Sequence, residues 1–142
     1  MTALDLAGRR VWVAGAGGLL GGALQRGLSA AGADVVAPSR DELDLRDPRA
    51  TADWVTQARP QMAIIAAASA GGIQAHIDRP GEVLHDNLLI AASTIEAARA
   101  AGVSKLLFIA SAAVYPPDAP QPFRDEAWLS GALEPAHEGY AL

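Results

Sequence analysis

Apolar positions along the chain alternate between two kinds of run. "RVWVA" (10–14), "DVVAPS" (34–39), "QMAIIAAAS" (61–69) and "KLLFIAS" (105–111) are short blocks of consecutive, mostly apolar residues, the pattern of strands buried in a parallel sheet. Between them lie longer stretches with apolar residues at helical spacing: "LLGGALQRGLSAAG" up to a stop at Gly32, "PRATADWVTQAR", and the long segment from Pro80 to Gly102. Asp47 before Pro48 supplies an N-cap and a first-turn proline, and Trp54 and Val55 are expected to face the sheet. Asp125 and Glu126 are expected to cap a further helix around "EAWLSGAL", and Glu134 precedes Pro135 in a turn. Strands joined by helices predict a doubly wound α/β fold with a parallel sheet. In the usual strand order 3-2-1-4-5-6, four strands leave "LLFIA" at an edge, with both faces of that strand expected to be buried.

Bulk composition narrows the partners. A chain of 142 residues with 51% hydrophobic content fits one domain with a real core. Its net charge of -5, with 11 Lys and Arg that are scattered rather than clustered, disfavours nucleic acid. No apolar stretch approaches the ~20 residues of a membrane span, and the first residues lack the pattern of a secretory signal. Cysteine is absent, so disulfides and thiolate metal sites are excluded. A cytoplasmic protein without membrane or nucleic-acid partners is expected. His76 in a loop, His85 on an amphipathic helix and His137 near the C-terminus lack metal-ligand spacing and are each expected to be solvent-exposed, so no metal is assigned.

Chemistry concentrates at the ends of the strands. Gly15, Gly18 and Gly21 form G-x-x-G-x-x-G between a strand and a helix, where a dinucleotide pyrophosphate would meet backbone N–H groups and the positive end of a helix. The alternative is a glycine-lined helix packed closely on the sheet. After the second strand, Arg40 suits the 2′-phosphate of NADP where an acidic residue would suit NAD; alternatively it is a solvated arginine paired with Asp41 or Glu42. The small residues from Ala66 to Ser69 would let a ribose and phosphates lie near the backbone, or would serve tight packing. Ser111 ends the fourth strand on the side where ligands of parallel sheets bind, although a serine there can equally satisfy a backbone group.

"GAGGLLGGAL", "SRDELDLRD", "AAASAGGI", "DNLLIAASTIEAA", "KLLFIASAAVYP" and "GALEPAHEGYAL" occur in the order and spacing of the GDP-L-fucose synthase family, extended short-chain dehydrogenase/reductases with a Rossmann-like domain. The resemblance covers nearly the whole chain. It implies NADP as cofactor, reduction of a GDP-4-keto-6-deoxyhexose as activity, and a homodimer. Carried over by position, Ser111 matches the catalytic serine and Tyr140 the tyrosine of Y-x-x-x-K. A tyrosine phenol can protonate the alkoxide left when hydride reaches a carbonyl, and a serine hydroxyl on the same oxygen shares its developing charge. The cofactor is implied to run along Gly15, Ala16, Gly17, Gly18, Leu19, Leu20 and Gly21. Arg40, Asp44 and Leu45 would follow, with Ala66, Ala67 and Ala68 on the next strand and Ile109 and Ala110 before the serine.

Two departures from the family pattern shape the expected activity. The family epimerises its substrate with a cysteine two residues after the serine, and Ala113 stands there; reduction without epimerisation is the expectation. The lysine due four residues after Tyr140 would lie beyond Leu142. The chain is therefore expected to be the N-terminal, NADP-binding portion (1–142) of a longer polypeptide whose substrate domain lies elsewhere, and to be inactive alone. Two other readings stay open: an epimerase or dehydratase of the same superfamily, and a non-catalytic dinucleotide-binding module.

Overall fold

The computed structural model describes residues 5–142. In chain order the elements are β1 (Arg10–Ala14), α1 (Leu19–Ala30), β2 (Asp34–Val36), α2 (Pro48–Ala58), β3 (Met62–Ile65), α3 (Gly72–Asp78), α4 (Pro80–Ala100), β4 (Lys105–Phe108) and α5 (Glu138–Ala141), with 3-10 turns at Ala112–Val114 and Asp125–Ala127. The chain divides into two compact units. One runs up to Ala68 and includes Leu89–Ile109; the other comprises Ser69–Leu88 and Ala110–Leu142.

The first unit holds the sheet. All pairings are parallel: Trp12 is in register with Val36 on one side and Ala63 on the other, and Ala63 with Leu106. Alternation along β1 divides the core. Trp12 and Ala14 pack with Val55 of α2, Ala63 and Ile65 of β3 and Ala97 of α4 on one face, and Trp54 tilts against Trp12 at 5.6 Å between ring centroids. Val11 and Val13 pack with Leu28 of α1 and with Met62 on the other. Helices thus cover both faces, as the doubly wound class requires. Burying each large apolar side chain among these contributes roughly 1.5–3 kcal/mol.

Local signals set the helix ends. Asp47 accepts hydrogen bonds from Arg49 and Ala50 N–H at the start of α2 (2.9 and 3.0 Å), and Gly32 and Gly102 take the left-handed conformation just past α1 and α4.

Two sheet expectations are corrected. The strand order is β2-β1-β3-β4 rather than 3-2-1-4. After β2 the chain enters α2 and returns on the far side of β1, so the order reverses about β1 without another strand outside β2. β4 does lie at an edge of the sheet, but it is not buried on both faces: Leu107 and Phe108 are 47% and 39% exposed. As the edge strand, β4 has only β3 beside it among the described residues, so its apolar side chains lack the neighbours that the run of apolar residues implied.

The second unit has no strand among its described residues and is built from short helices, turns and ring contacts. The helix expected around "EAWLSGAL" is reduced to the 3-10 turn Asp125–Ala127. Trp128 is extended and Leu129 has a positive φ of 51°. Trp128 Nε1 instead donates to the Tyr115 hydroxyl at 2.6 Å, and Tyr115 stacks on Phe123 with ring centroids 4.3 Å apart. Among the described residues no helix is long and apolar enough to cross a membrane, and no group of three or more His, Asp or Glu could hold a metal ion.

Candidate functional site

The glycine turn after β1 is fixed by main-chain packing. Gly15 has φ +84°, and a Cβ there would stand 2.7 Å from both the N and Cα of Ala67. A Cβ at Gly21 would overlap the carbonyl oxygen of Gly15. These two glycines let α1 and the segment after β3 close on the turn, so the packing alternative accounts for them directly. Gly17 differs, because a Cβ there would meet nothing within 4 Å, and Ala16 beside it is half-buried. Gly18 donates to the Gly15 carbonyl (3.0 Å) and caps α1 without any side-chain hydrogen bond. The first turn of α1 carries no acidic residue, and Leu19 and Leu20 there are 96% and 48% exposed. The turn therefore offers an open cradle, an uncapped positive helix end and apolar side chains beside it, which fits a pyrophosphate and its neighbouring groups.

Arg40 stands exposed after β2, and among the described residues it forms no ion pair with Asp41 or Glu42. Glu42 accepts instead from the Ser39 N–H at 2.7 Å, which lowers the Glu42 pKa. Asp44 accepts from Nε and Nη2 of Arg46 (3.0 and 2.7 Å) and from the Arg46 N–H (3.0 Å). The Arg46 side chain first, then its backbone N–H, brings the Asp44 carboxyl down from 3.8 to about 2. Arg40 adds to that field. Leu45 is half-buried and packs against the core cluster that contains Trp12 and Val55.

Beyond β3, the Ala66 N–H donates to the Ala14 carbonyl (3.0 Å), Ala67 lies against Gly15, and Ala68 is exposed. Ile109 extends β4 by donating to the Ile65 carbonyl (2.9 Å). The first unit thus gathers Gly15 with Ala66 and Ala67, while Arg40 stands exposed in the loop after β2.

In the second unit, Ala110 is exposed and Ser111 caps the 3-10 turn, its Oγ accepting from the Ala113 N–H at 3.1 Å. The backbone-satisfying role weighed for the serine is therefore present. The bond occupies an acceptor site only and leaves the hydroxyl proton free to be donated. α5 packs against this turn, so the structure brings the serine's turn and the tyrosine's helix together. Tyr140 is half-buried, not a surface aromatic.

The histidine expectations need correction. His76 lies in α3, not in a loop, and is only 8% exposed. His137 is half-buried and meets His76 edge-on at 5.3 Å. The contacts that bury them join residues some 60 positions apart, and nothing local signals them. His85 is exposed, as expected.

Asn87 is a residue that motif reasoning passed over. Its Oδ1 accepts from the Ser69 N–H (2.7 Å) and its Nδ2 donates to the Ser69 carbonyl (3.1 Å), pinning the backbone that follows the "AAA" segment to α4. Its place in the block "DNLLIAASTIEAA" was the available signal.

Residues 11–142 match the model of the NAD dependent epimerase/dehydratase family. A GDP-L-fucose synthase of Sinorhizobium fredii is 40% identical over 137 residues, 96% of this chain and 44% of that protein. The solved structure of DdhaC superposes with TM-score 0.90 at 37% identity, over 98% of this chain and 40% of that one. MlghC, a GDP-mannoheptose C4 reductase from Campylobacter jejuni solved with NADP bound, gives TM-score 0.88 at 27% identity, over 94% of this chain and 43% of that one. The chain spans under half the length of the curated relatives it matches.

Proposed function

The chain belongs to the NAD dependent epimerase/dehydratase family, and we propose that it is the NADP-binding part of an oxidoreductase that reduces a GDP-4-keto-6-deoxyhexose. The observation that carries the reading is the packing of the Ser111-capped turn against the helix of Tyr140; the open cradle at the amino end of α1 precedes them in the chain in the order of the family resemblance. The uncapped N–H groups of α1 receive the pyrophosphate, and the guanidinium of Arg40 receives the 2′-phosphate. When bound, the dinucleotide supplies the hydride. Ser111 donates a hydrogen bond from its free hydroxyl to the substrate carbonyl oxygen, and the Tyr140 phenol delivers the one proton which that oxygen takes up on reduction.

Ala113 bears only a methyl group where the family resemblance places the epimerising cysteine. A methyl cannot exchange a carbon-bound proton, so this protein reduces without epimerising. The substrate-binding domain lies outside residues 1–142 in this reading, and the protein acts as a cytoplasmic homodimer, both on the strength of the family resemblance.

The test is NADPH oxidation by the full-length polypeptide with a GDP-4-keto-6-deoxyhexose, run in deuterated water. Expected are turnover that falls at least about 100-fold in Tyr140→Phe and little deuterium at the carbons flanking the keto group. Tightly held NAD with no net NADPH consumption would replace this reading with an epimerase or dehydratase. Rapid deuterium uptake would show that another residue epimerises.

A further inference from the structure

We infer that His76 is a positioning residue for Tyr140: its imidazole is the plate against which the phenol ring is held. The inference rests on the reading of Tyr140 as proton donor. The two rings are nearly parallel, 14° apart with centroids 4.7 Å from one another. Stacking at that separation is an attractive arrangement that fixes a ring's plane. His137, one turn before the tyrosine, closes on the edge of His76 at 77°, so the imidazole is gripped by two residues of the α5 segment.

The way His76 is buried identifies what it contributes. It is 8% exposed, and neither Nδ1 nor Nε2 has a hydrogen-bond partner among the described residues. A buried polar ring in that state is unfavourable in itself, while Ile73 and Ile77 on the same short helix are 58% and 52% exposed. A helix that served only packing would turn its isoleucines inward and its histidine outward. The arrangement instead spends the buried position on the planar side chain that meets Tyr140.

The backbone beneath the phenol is fixed separately. A Cβ on Gly139 would stand 2.6 Å from the Pro80 carbonyl oxygen, so α5 is pressed onto the start of α4. Gly139 sets where the helix sits, and His76 sets the plane of the ring it carries. A displacement of the proton donor of about 1 Å is enough to cost a large factor in rate.

The experiment compares His76→Phe with His76→Leu in the full-length protein. Phenylalanine keeps a flat ring and removes the unpaired nitrogens; leucine keeps apolar volume and removes the plate. His76→Leu is expected to lower kcat about tenfold with KM for NADPH unchanged, and His76→Phe to stay within about threefold of the parent. In 13C-histidine NMR, the ring C–H signal that disappears in His76→Phe should lie upfield from the ring current of Tyr140 and lose that shift in Tyr140→Leu. Unchanged kcat in a folded His76→Leu, or a His76 signal indifferent to Tyr140→Leu, overturns the inference. If His76→Leu fails to fold, the His76→Phe rate and the NMR shift still decide it. If Tyr140→Phe leaves turnover intact, the proton-donor reading falls on its own, while the ring-current result still reports whether the imidazole holds the phenol.

Discussion

Gly15 and Tyr140 are both held tightly, by opposite means. Around Gly15 the constraints are main chain against main chain: Ala66 and Ala67 on one side, the first turn of α1 on the other, and no side chain in between. Around Tyr140 side chains take a large part: an imidazole face and a turn capped by a serine hydroxyl, with Gly139 fitted against the Pro80 backbone. Backbone packing is unforgiving of any added atom and indifferent to chemistry. Ring packing tolerates a substitute of the right shape. The cradle should therefore fail by steric overlap, and the hydroxyl segment by loss of shape or of a hydrogen bond.

The largest effect belongs to Gly21→Ala, whose new methyl would overlap the Gly15 carbonyl and force α1 off the turn. A loss of about 3 kcal/mol or more in urea unfolding is expected. Gly17→Ala is the paired control, with open space around its Cβ, and should change stability by less than about 1 kcal/mol. It should nonetheless weaken NADPH binding about tenfold, or about 1.4 kcal/mol, by filling the cradle. If both variants destabilise alike, the glycines do not divide into packing and cradle positions. Full NADPH affinity in Gly17→Ala would remove the phosphate from that position.

Asn87→Ala comes next and tests the other construction. Two hydrogen bonds to Ser69 would be lost at a half-buried position, which leads to an expected cost of about 2 kcal/mol. The loss should be local, with faster hydrogen exchange at the Ser69 amide and unchanged exchange in β1. Equal acceleration across β1 would show that this contact supports the sheet and not the loop alone.

The same contrast explains what was legible in the sequence. The strands, the three long helices and the Asp47 cap follow from neighbours within a turn or two, and the glycine turn follows from residue type at fixed offsets. Strand order did not, because no local signal distinguishes a chain that returns beside β1 from one that continues outward past β2. The exposure of β4 was missed for a related reason: an apolar run reports what a strand's side chains favour, not which neighbours are present. His76 was misread because its burial depends on partners at 137 and 140, and because hydrophobicity alone would have turned Ile73 and Ile77 inward. Ser111 and Tyr140 were assigned by motif order, and only the structure shows that their turn and helix pack together.

Asp47→Ala is a smaller test, confined to a local feature of the sheet-bearing unit. The carboxylate serves two N–H groups at the start of α2, and its removal should destabilise by about 1 kcal/mol. Asp47→Ser should recover most of that loss, and an equal loss in both variants would mean that the cap contributes through charge and not through its hydrogen bonds.

The smallest expected effect lies at Asp44, which belongs to the cradle's unit but is held as Tyr140 is, by a side chain. Arg46 keeps the folded-state carboxyl at about 2, against 3.8 for the free group. A depressed pKa means that the folded state favours the ionised form. The pair's contribution to stability is accordingly complete above the ordinary carboxylate range and fades as pH falls from about 4 through about 2. Side-chain exposures of 46% for Asp44 and 35% for Arg46 leave the pair largely screened by water and salt, which limits its contribution to about 0.5 kcal/mol. Urea unfolding of the parent and of Asp44→Asn should differ by that amount near pH 6 and converge as the pH approaches about 2. Added salt should shrink the difference near pH 6. A gap that stays constant with pH would mean that Asp44 acts through neutral hydrogen bonds and local backbone geometry, and the loop between β2 and α2 would then be built like the glycine turn after all.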